Sequence, residues 1–223
     1  MESPYINSPY TLFIFDWDGT LIDSEAKIIA AFRAAADDLG LSYPSDQNIR
    51  DIIGSDLPNA IRTLFPSQQQ PFLLRVLEQY RHHLRVATPP NLFPGVPETL
   101  RKLRDNRFLI AVATSNSRNN LEQDLLSTGL GQIFQATRCA GEAPAKPNPQ
   151  MLHEIMTELQ VQPERTLLIG DSIHDLQMAQ NAGIDAIAAT YGVLHDKARL
   201  LQYQPRAGID AIGELIDWLA RSS

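Results

Sequence analysis

The sequence predicts an α/β protein: a doubly wound parallel sheet with helices on both faces, interrupted once by a stretch that is wholly helical. Three observations carry this reading. Short apolar runs recur at Leu12-Phe13-Ile14-Phe15, Phe108-Leu109-Ile110-Ala111-Val112-Ala113 and Thr166-Leu167-Leu168-Ile169-Gly170. They are continuous rather than alternating, as strands buried on both faces are, and such strands belong to parallel sheets. Helical patterns alternate with them through the second half, the arrangement that covers a parallel sheet on both sides. Between Ser24 and about Asn91, by contrast, only helical patterns occur.

In chain order, the first strand runs from Thr11 into Asp16-Trp17-Asp18-Gly19-Thr20. A helix then starts near Ser24; Ile28, Ile29, Phe32, Ala36 and Leu39 form its apolar stripe, and Gly40 ends it. A short helix covers residues 46–53 and is broken by Gly54, and Asp56 caps the next, with Pro58 in its first turn. Leu73, Val76, Leu77, Tyr80 and Leu84 mark a longer helix, which stops before Thr88-Pro89-Pro90-Asn91. Phe134 to Cys139 reads as a short strand and Ala186-Ile187-Ala188-Ala189 as a weaker one. Helical stripes lie at Val96/Leu100/Leu103, Leu121/Leu125, Leu152/Ile155/Met156/Leu159, Leu176/Ala179/Ala182 and Ile212/Leu215/Ile216/Leu219.

Composition narrows the function. The chain has 223 residues, 43% of them apolar and 20% charged, enough for a sizeable core and unlike a disordered chain. A net charge of −7 disfavours nucleic acid and anionic membrane as partners. No apolar run is long enough to span a bilayer. The first ten residues do not pair a basic region with an apolar stretch, and Cys139 is the single cysteine. Both features point to a reducing, cytoplasmic setting.

Chemistry-bearing residues gather at the strand ends, where open parallel sheets bind ligands. Asp16 and Asp18 can share a divalent cation and divide nucleophilic and acid/base roles. A chemically silent turn rich in Asp and Gly has the same composition, whereas a calcium loop would set its glycine and last glutamate at other spacings. Thr114-Ser115-Asn116 ends the second strand and can seat an anion, although a turn or N-cap role suits these residues equally. Lys146, one of four lysines, precedes Pro147 and Pro149 and can supply a stiffly held cation. Asp171 and Asp175 follow the third strand, where an N-cap is the blander role for Asp171. Of the five histidines, His82 and His83 read as a solvated helix face, His153 and His195 have no ligand-like partners in the sequence, and His174 lies between Asp171 and Asp175; none is expected to be a ligand.

Taken together and in order, these pieces resemble the four motifs of the haloacid dehalogenase-like (HAD) superfamily: DxDGT, an apolar strand ending in Thr or Ser, a Lys before Pro, and GDxxxD. All four are intact. The resemblance spans the chain, because HAD proteins of this kind carry a helical cap between the first two motifs. It implies a Rossmann-like HAD core of residues 1–22 and 93–223 and a cap domain of residues 23–92, with hinges at Asp23-Ser24 and Pro89-Pro90. It further implies Asp16 as the nucleophile that becomes an aspartyl-phosphate, and Asp18 as general acid/base. Mg²⁺ would be held by Asp16, the Asp18 backbone carbonyl and Asp171. Thr114, Ser115 and Lys146 would bind the phosphoryl group, and Asp175 would orient Lys146 or metal-bound water. Arg50, Gly54, Ser55 and Arg62 in the cap are the candidates for substrate choice, the arginines being equally suited to pairing with nearby carboxylates.

The function implied is a Mg²⁺-dependent phosphatase of a small phosphorylated metabolite, similar to phosphoglycolate phosphatases, acting as a monomer or small homo-oligomer. A β-phosphoglucomutase-like phosphomutase shares every core motif. A non-catalytic phospho-ligand-binding or regulatory protein on the same fold is the reading of another class, and the intact acidic residues argue against it. No lysine lies between Lys27 and Lys102 to serve a phosphonatase, and Asp18 argues against a dehalogenase.

Overall fold

The computed structural model describes residues 8–88, 91–192 and 197–222, so Pro89-Pro90 and His195 lie outside the described residues. The first described elements are β1 (Leu12–Phe15) and β2 (Ile22–Asp23). Four helices follow: α1 (Glu25–Asp38), α2 (Asp46–Arg50), α3 (Leu57–Leu64) and α4 (Gln70–Val86). After β3 (Asn91–Leu92) come α5 (Val96–Asp105), β4 (Leu109–Ser117), α6 (Arg118–Thr128), β5 (Ala136–Ala140) and α7 (Gln150–Leu159). The chain closes with β6 (Thr166–Gly170), α8 (Ile173–Ala182), β7 (Asp185–Ala189), α9 (Lys197–Leu201), β8 (Ala207–Ile209) and α10 (Glu214–Ser222).

Six strands form one parallel sheet in the order β5-β4-β1-β6-β7-β8. β1 is central, and the chain winds first to one side of it and then to the other, so its carboxyl end is a topological switch point. Every residue of β1 is fully buried, which explains the absence of alternation. Side chains still alternate between faces. Phe13 and Phe15 join Ile110, Val112, Leu167 and Ile169 in a cluster under α5 and α10. Leu12 and Ile14 join Ala111, Ala113 and Leu168 in a second cluster under α7 and α8. α1 to α4 close a third cluster of their own around Phe32, Ile49, Ile61, Val76 and Tyr80.

Four short elements were not expected. β2 and β3 pair antiparallel, Ile22 with Leu92 and Asp23 with Asn91, forming a two-stranded ribbon where the helical stretch leaves and rejoins the sheet. Two residues per strand are too short to show a pattern. β8 and α9 are likewise short, and β8 owes its place to pairing with β7. β4 also runs past Ala113 to Ser117, with an irregular register between those residues. Among the described residues, no helix is long and apolar enough to cross a membrane.

Candidate active site

Because the main-sheet strands are parallel, their carboxyl ends share one edge, and the acidic residues meet there. Asp16 follows β1, Asp171 follows β6 and Asp175 sits in the first turn of α8; all three are buried. A carboxylate oxygen of each lies within 4.8 Å of the others. Lys146, also buried, bridges them: its Nζ lies 2.8 Å from Asp16 Oδ1 and 2.6 Å from Asp175 Oδ1.

The local sequence explains each orientation. Asp175 takes part in a capping box: its Oδ2 accepts from the Ser172 backbone N–H at 3.1 Å and from Ser172 Oγ at 2.5 Å, and its own N–H donates to Ser172 Oγ at 3.2 Å. Both its oxygens are thereby engaged. Thr20 Oγ1 donates to Asp171 Oδ1 at 2.7 Å, whereas Asp171 Oδ2 is buried with no partner among the described residues. The Trp17 N–H donates to Asp16 Oδ1 at 2.7 Å. The Trp17 ring points into the core, where its Nε1 donates to Asp124 Oδ2 at 3.0 Å. Gly192, which no sequence pattern marked, passes so close that a Cβ on it would lie 2.4 Å from the Gly19 carbonyl oxygen and 2.9 Å from Asp171 Cβ.

The electrostatics follow from crowding three acids around one ammonium. Burial raises the Asp16 carboxyl and Asp175 raises it further, while Lys146 and the Trp17 N–H pull it back, leaving it at about 7. Burial, with Asp16 and Asp175 beside it, pushes Asp171 well above the usual carboxylate range. Burial alone would lower the Lys146 ammonium, but Asp16 and Asp175 outweigh it and hold it above its ordinary value. Asp18 is half-buried at the mouth of the cluster. Burial raises its carboxyl to about 6, against the pull of the Ser24 hydroxyl and Lys27. One cation among three buried carboxylates leaves an excess of negative charge, which a buried site does not keep uncompensated. The orphaned Asp171 Oδ2 marks where a further cation fits.

Outside this cluster a cavity of about 570 Å³ opens between the sheet edge and the helical insert, with Asp16, Asp18, Thr114, Ser115, Gly54 and Ser55 in its walls. Thr114 is buried, and its Oγ1 accepts from the Asn116 N–H at 3.0 Å. The irregular register of β4 falls on this segment; such bulges re-aim side chains beside active sites. Ser115 Oγ donates to the Gly54 carbonyl at 2.8 Å, a contact across from sheet to insert.

Two of the expected cap residues stand elsewhere. Arg50 does not line the cavity; its Nε pairs with Glu25 Oε1 at 2.7 Å. Arg62 is exposed on α3, donates to Asn59 Oδ1 at 2.7 Å and also stays outside. The helix rotation that buries Ile49 and Ile61 turns these arginines away. The cations that do line the cavity are Lys27, Arg81 and Arg85. The i, i+4 spacing of Arg81 and Arg85 on α4 was the signal available in sequence; Lys27, on α1, carried none.

Comparisons with known proteins agree with this geometry. A family model of haloacid dehalogenase-like hydrolases matches residues 13–189. The protein named "Probable phosphatase IndB" from Dickeya dadantii is 32% identical over 211 residues, covering 92% of this chain and 91% of that one. A phosphoglycolate phosphatase from Synechococcus elongatus is 30% identical over 194 residues, covering 86% of this chain and 89% of that one. The solved structure of a haloacid dehalogenase-like family protein from Streptococcus pneumoniae superposes with a TM-score of 0.84 at 24% identity, over 94% of this chain and 98% of that one, a likeness of fold. The family match thus takes in β1 through β7 and every residue of the acidic cluster, and the chain belongs to the haloacid dehalogenase-like hydrolase family as an enzyme of its phosphatase kind.

Proposed function

We propose that this chain is a Mg²⁺-dependent phosphatase of a small phosphorylated metabolite that works through an aspartyl-phosphate on Asp16. The observation that carries the reading is the buried cluster of Asp16, Asp171 and Asp175 around Lys146, with Asp171 Oδ2 left without a donor among the described residues. An all-oxygen donor set suits Mg²⁺, which Asp16, the Asp18 backbone carbonyl and Asp171 would hold. When bound, the ion supplies positive charge against the phosphoryl oxygens.

An Asp16 carboxylate oxygen attacks phosphorus as the ester P–O bond breaks, and Asp18 gives its proton to the departing oxygen. Asp18 then takes a proton from water; the water oxygen attacks phosphorus, the bond to Asp16 breaks, and inorganic phosphate leaves. A carboxyl poised at about 6 can serve both as acid and as base near neutral pH. Lys146 neutralises charge on Asp16 and on the arriving phosphate, which would otherwise repel each other. Thr114 and the Ser115 N–H receive phosphoryl oxygens. Asp175 is a positioning residue that anchors Lys146. Residues 23–92 act as the cap over a core of residues 1–22 and 93–223, with Gly54 and Ser55 facing the substrate. Phosphoglycolate, named for the Synechococcus elongatus relative, belongs on the list of candidate substrates.

The test is phosphate release from p-nitrophenyl phosphate and a panel of phosphorylated metabolites. Turnover is expected with Mg²⁺ and no bisphosphate activator, to vanish in EDTA, and to return on adding Mg²⁺. Full activity of a metal-free sample, or no turnover of any ester, would overturn the reading.

A further inference from the structure

The cavity is larger than the chemistry requires. At about 570 Å³ it lies within the range of pockets that enclose whole small ligands, not a phosphoryl group alone. Asp16 and Asp18 line it at the sheet edge, Asp56 and Asp124 add two more carboxylates, and Lys27, Arg81 and Arg85 line it from the helical insert. Lys27 comes from the first turn of α1, one turn beyond Ser24, and Arg81 and Arg85 come from successive turns of α4. The stacking of Phe32 on Tyr80, with ring centroids 4.1 Å apart, sets α1 against α4, and the three cations line the same cavity.

These cations are spare. Among the described residues, no ion pair or hydrogen bond holds the side chain of Lys27, Arg81 or Arg85. Arg33, Arg50, Arg118, Arg138 and Arg206, by contrast, each grip a carboxylate. Like charges at i, i+4 weaken a helix slightly, so the pairing of Arg81 with Arg85 carries a small cost in helix stability. Ile28, Phe32, Leu57 and Leu84 line the space beside them. Lys27 is half-buried there, and Arg81 and Arg85 are exposed, within reach of an arriving anion.

We propose that Lys27, Arg81 and Arg85 recognise a second anionic group on the substrate, so that the ester cleaved is a phosphate monoester whose leaving moiety itself carries a carboxylate or a further phosphate. This rests on the phosphatase reading and deepens it. Arg81 and Arg85 offer planar forks suited to a carboxylate or phosphate, and Lys27 adds a point charge nearer Asp18.

The test uses three matched pairs that differ only in the second anion: 3-phosphoglycerate with glycerol 3-phosphate, phosphoglycolate with 2-hydroxyethyl phosphate, and 6-phosphogluconate with glucitol 6-phosphate. In at least one pair kcat/KM for the anionic member should exceed that of its partner by about tenfold or more, the range a charge-assisted contact gives. In the double variant Arg81→Gln/Arg85→Gln that ratio should fall towards one, Lys27→Gln should lower it in part, and Arg81→Lys/Arg85→Lys should keep much of it. Binding gives a second readout without turnover: calorimetry should show 3-phosphonopropionate binding more tightly than propylphosphonate, with the preference lost in the double Gln variant. No preference in any pair overturns the inference while leaving the phosphatase reading intact. Equal losses on both members of a pair also overturn it, since the cations would then be holding the transferring phosphoryl group. A phosphonate preference without turnover of any ester would sink the phosphatase reading and keep the anion wall.

Discussion

Asp18 stands two residues past the proposed nucleophile, half-buried, with the Ser24 hydroxyl and Lys27 favouring its charged form. As the proposed acid/base it transfers the proton, so Asp18→Asn should cost on the order of 10²–10⁴-fold in the first step. The loss should be larger for alkyl phosphates, whose alkoxide needs the proton, than for p-nitrophenyl phosphate, whose anion leaves readily. Asp16→Asn should abolish phosphoenzyme with both. Rapid-quench trapping checks this, and an equal Asp18→Asn defect across leaving groups would refute the assigned role. The same residues predict an unusual stability profile. Asp16 titrates at about 7 and Asp18 at about 6 in the fold, both raised from 3.8. The folded chain then holds protons that the unfolded chain has released. Their contribution is present below the unfolded value and is lost as pH rises through about 6 to 7. Asp185, which burial alone would raise, is held low by Arg206 and Tyr10, so its contribution is lost only in stronger acid. In EDTA the Tm should therefore fall between pH 5 and pH 7.5, and Mg²⁺ or Asp16→Asn should flatten the fall. A metal-free Tm that climbs over this range would contradict it.

The turn after α2 decides how the insert meets the sheet. Gly54 has φ +86°, and a Cβ there would lie 3.1 Å from Ser172 Oγ and 3.2 Å from Ser172 Cβ. Its carbonyl receives Ser115 Oγ. Gly54→Ala should strain the backbone by about 1 kcal/mol or more and also push the loop off the sheet edge. Gly40, at φ +63° with nothing within 4 Å of a Cβ, provides the comparison. Gly40→Ala should cost stability alone, whereas Gly54→Ala should also lower kcat/KM by about tenfold. Urea unfolding and steady-state kinetics on the two variants separate these effects, and equal kinetics in both would show that the contact at Gly54 is idle.

Across the whole molecule, the helices from α1 to α4 close a core separate from the two clusters flanking the sheet. Phe32 is its fully buried centre, stacked on Tyr80. Phe32→Ala should remove about 3–5 kcal/mol of packing. The effect should be local: hydrogen exchange should lose protection in α1 and α4 while β1, β4 and β6 stay protected. Loss of protection in the sheet to the same degree would mean that the insert and the core unfold as one.

The sequence by itself determined the fold class and the central strands, and it set Asp16, Asp171 and Asp175 at strand ends. Continuous apolar runs and strand-end motifs are local signals, and Leu12 to Asp18 or Thr166 to Asp175 can be read without knowing what packs on them. Tertiary structure alone decided the rest, because the remaining information lies between segments. The β2–β3 ribbon and β8 exist through pairing, not through their own pattern. Gly192 is significant only because Gly19 and Asp171 come to meet it. Arg50 and Arg62 carried the right charge at a plausible distance in sequence, but helix rotation in service of the insert's core turned them outward, and the packing of α1 on α4 brought Lys27, Arg81 and Arg85 to the cavity instead.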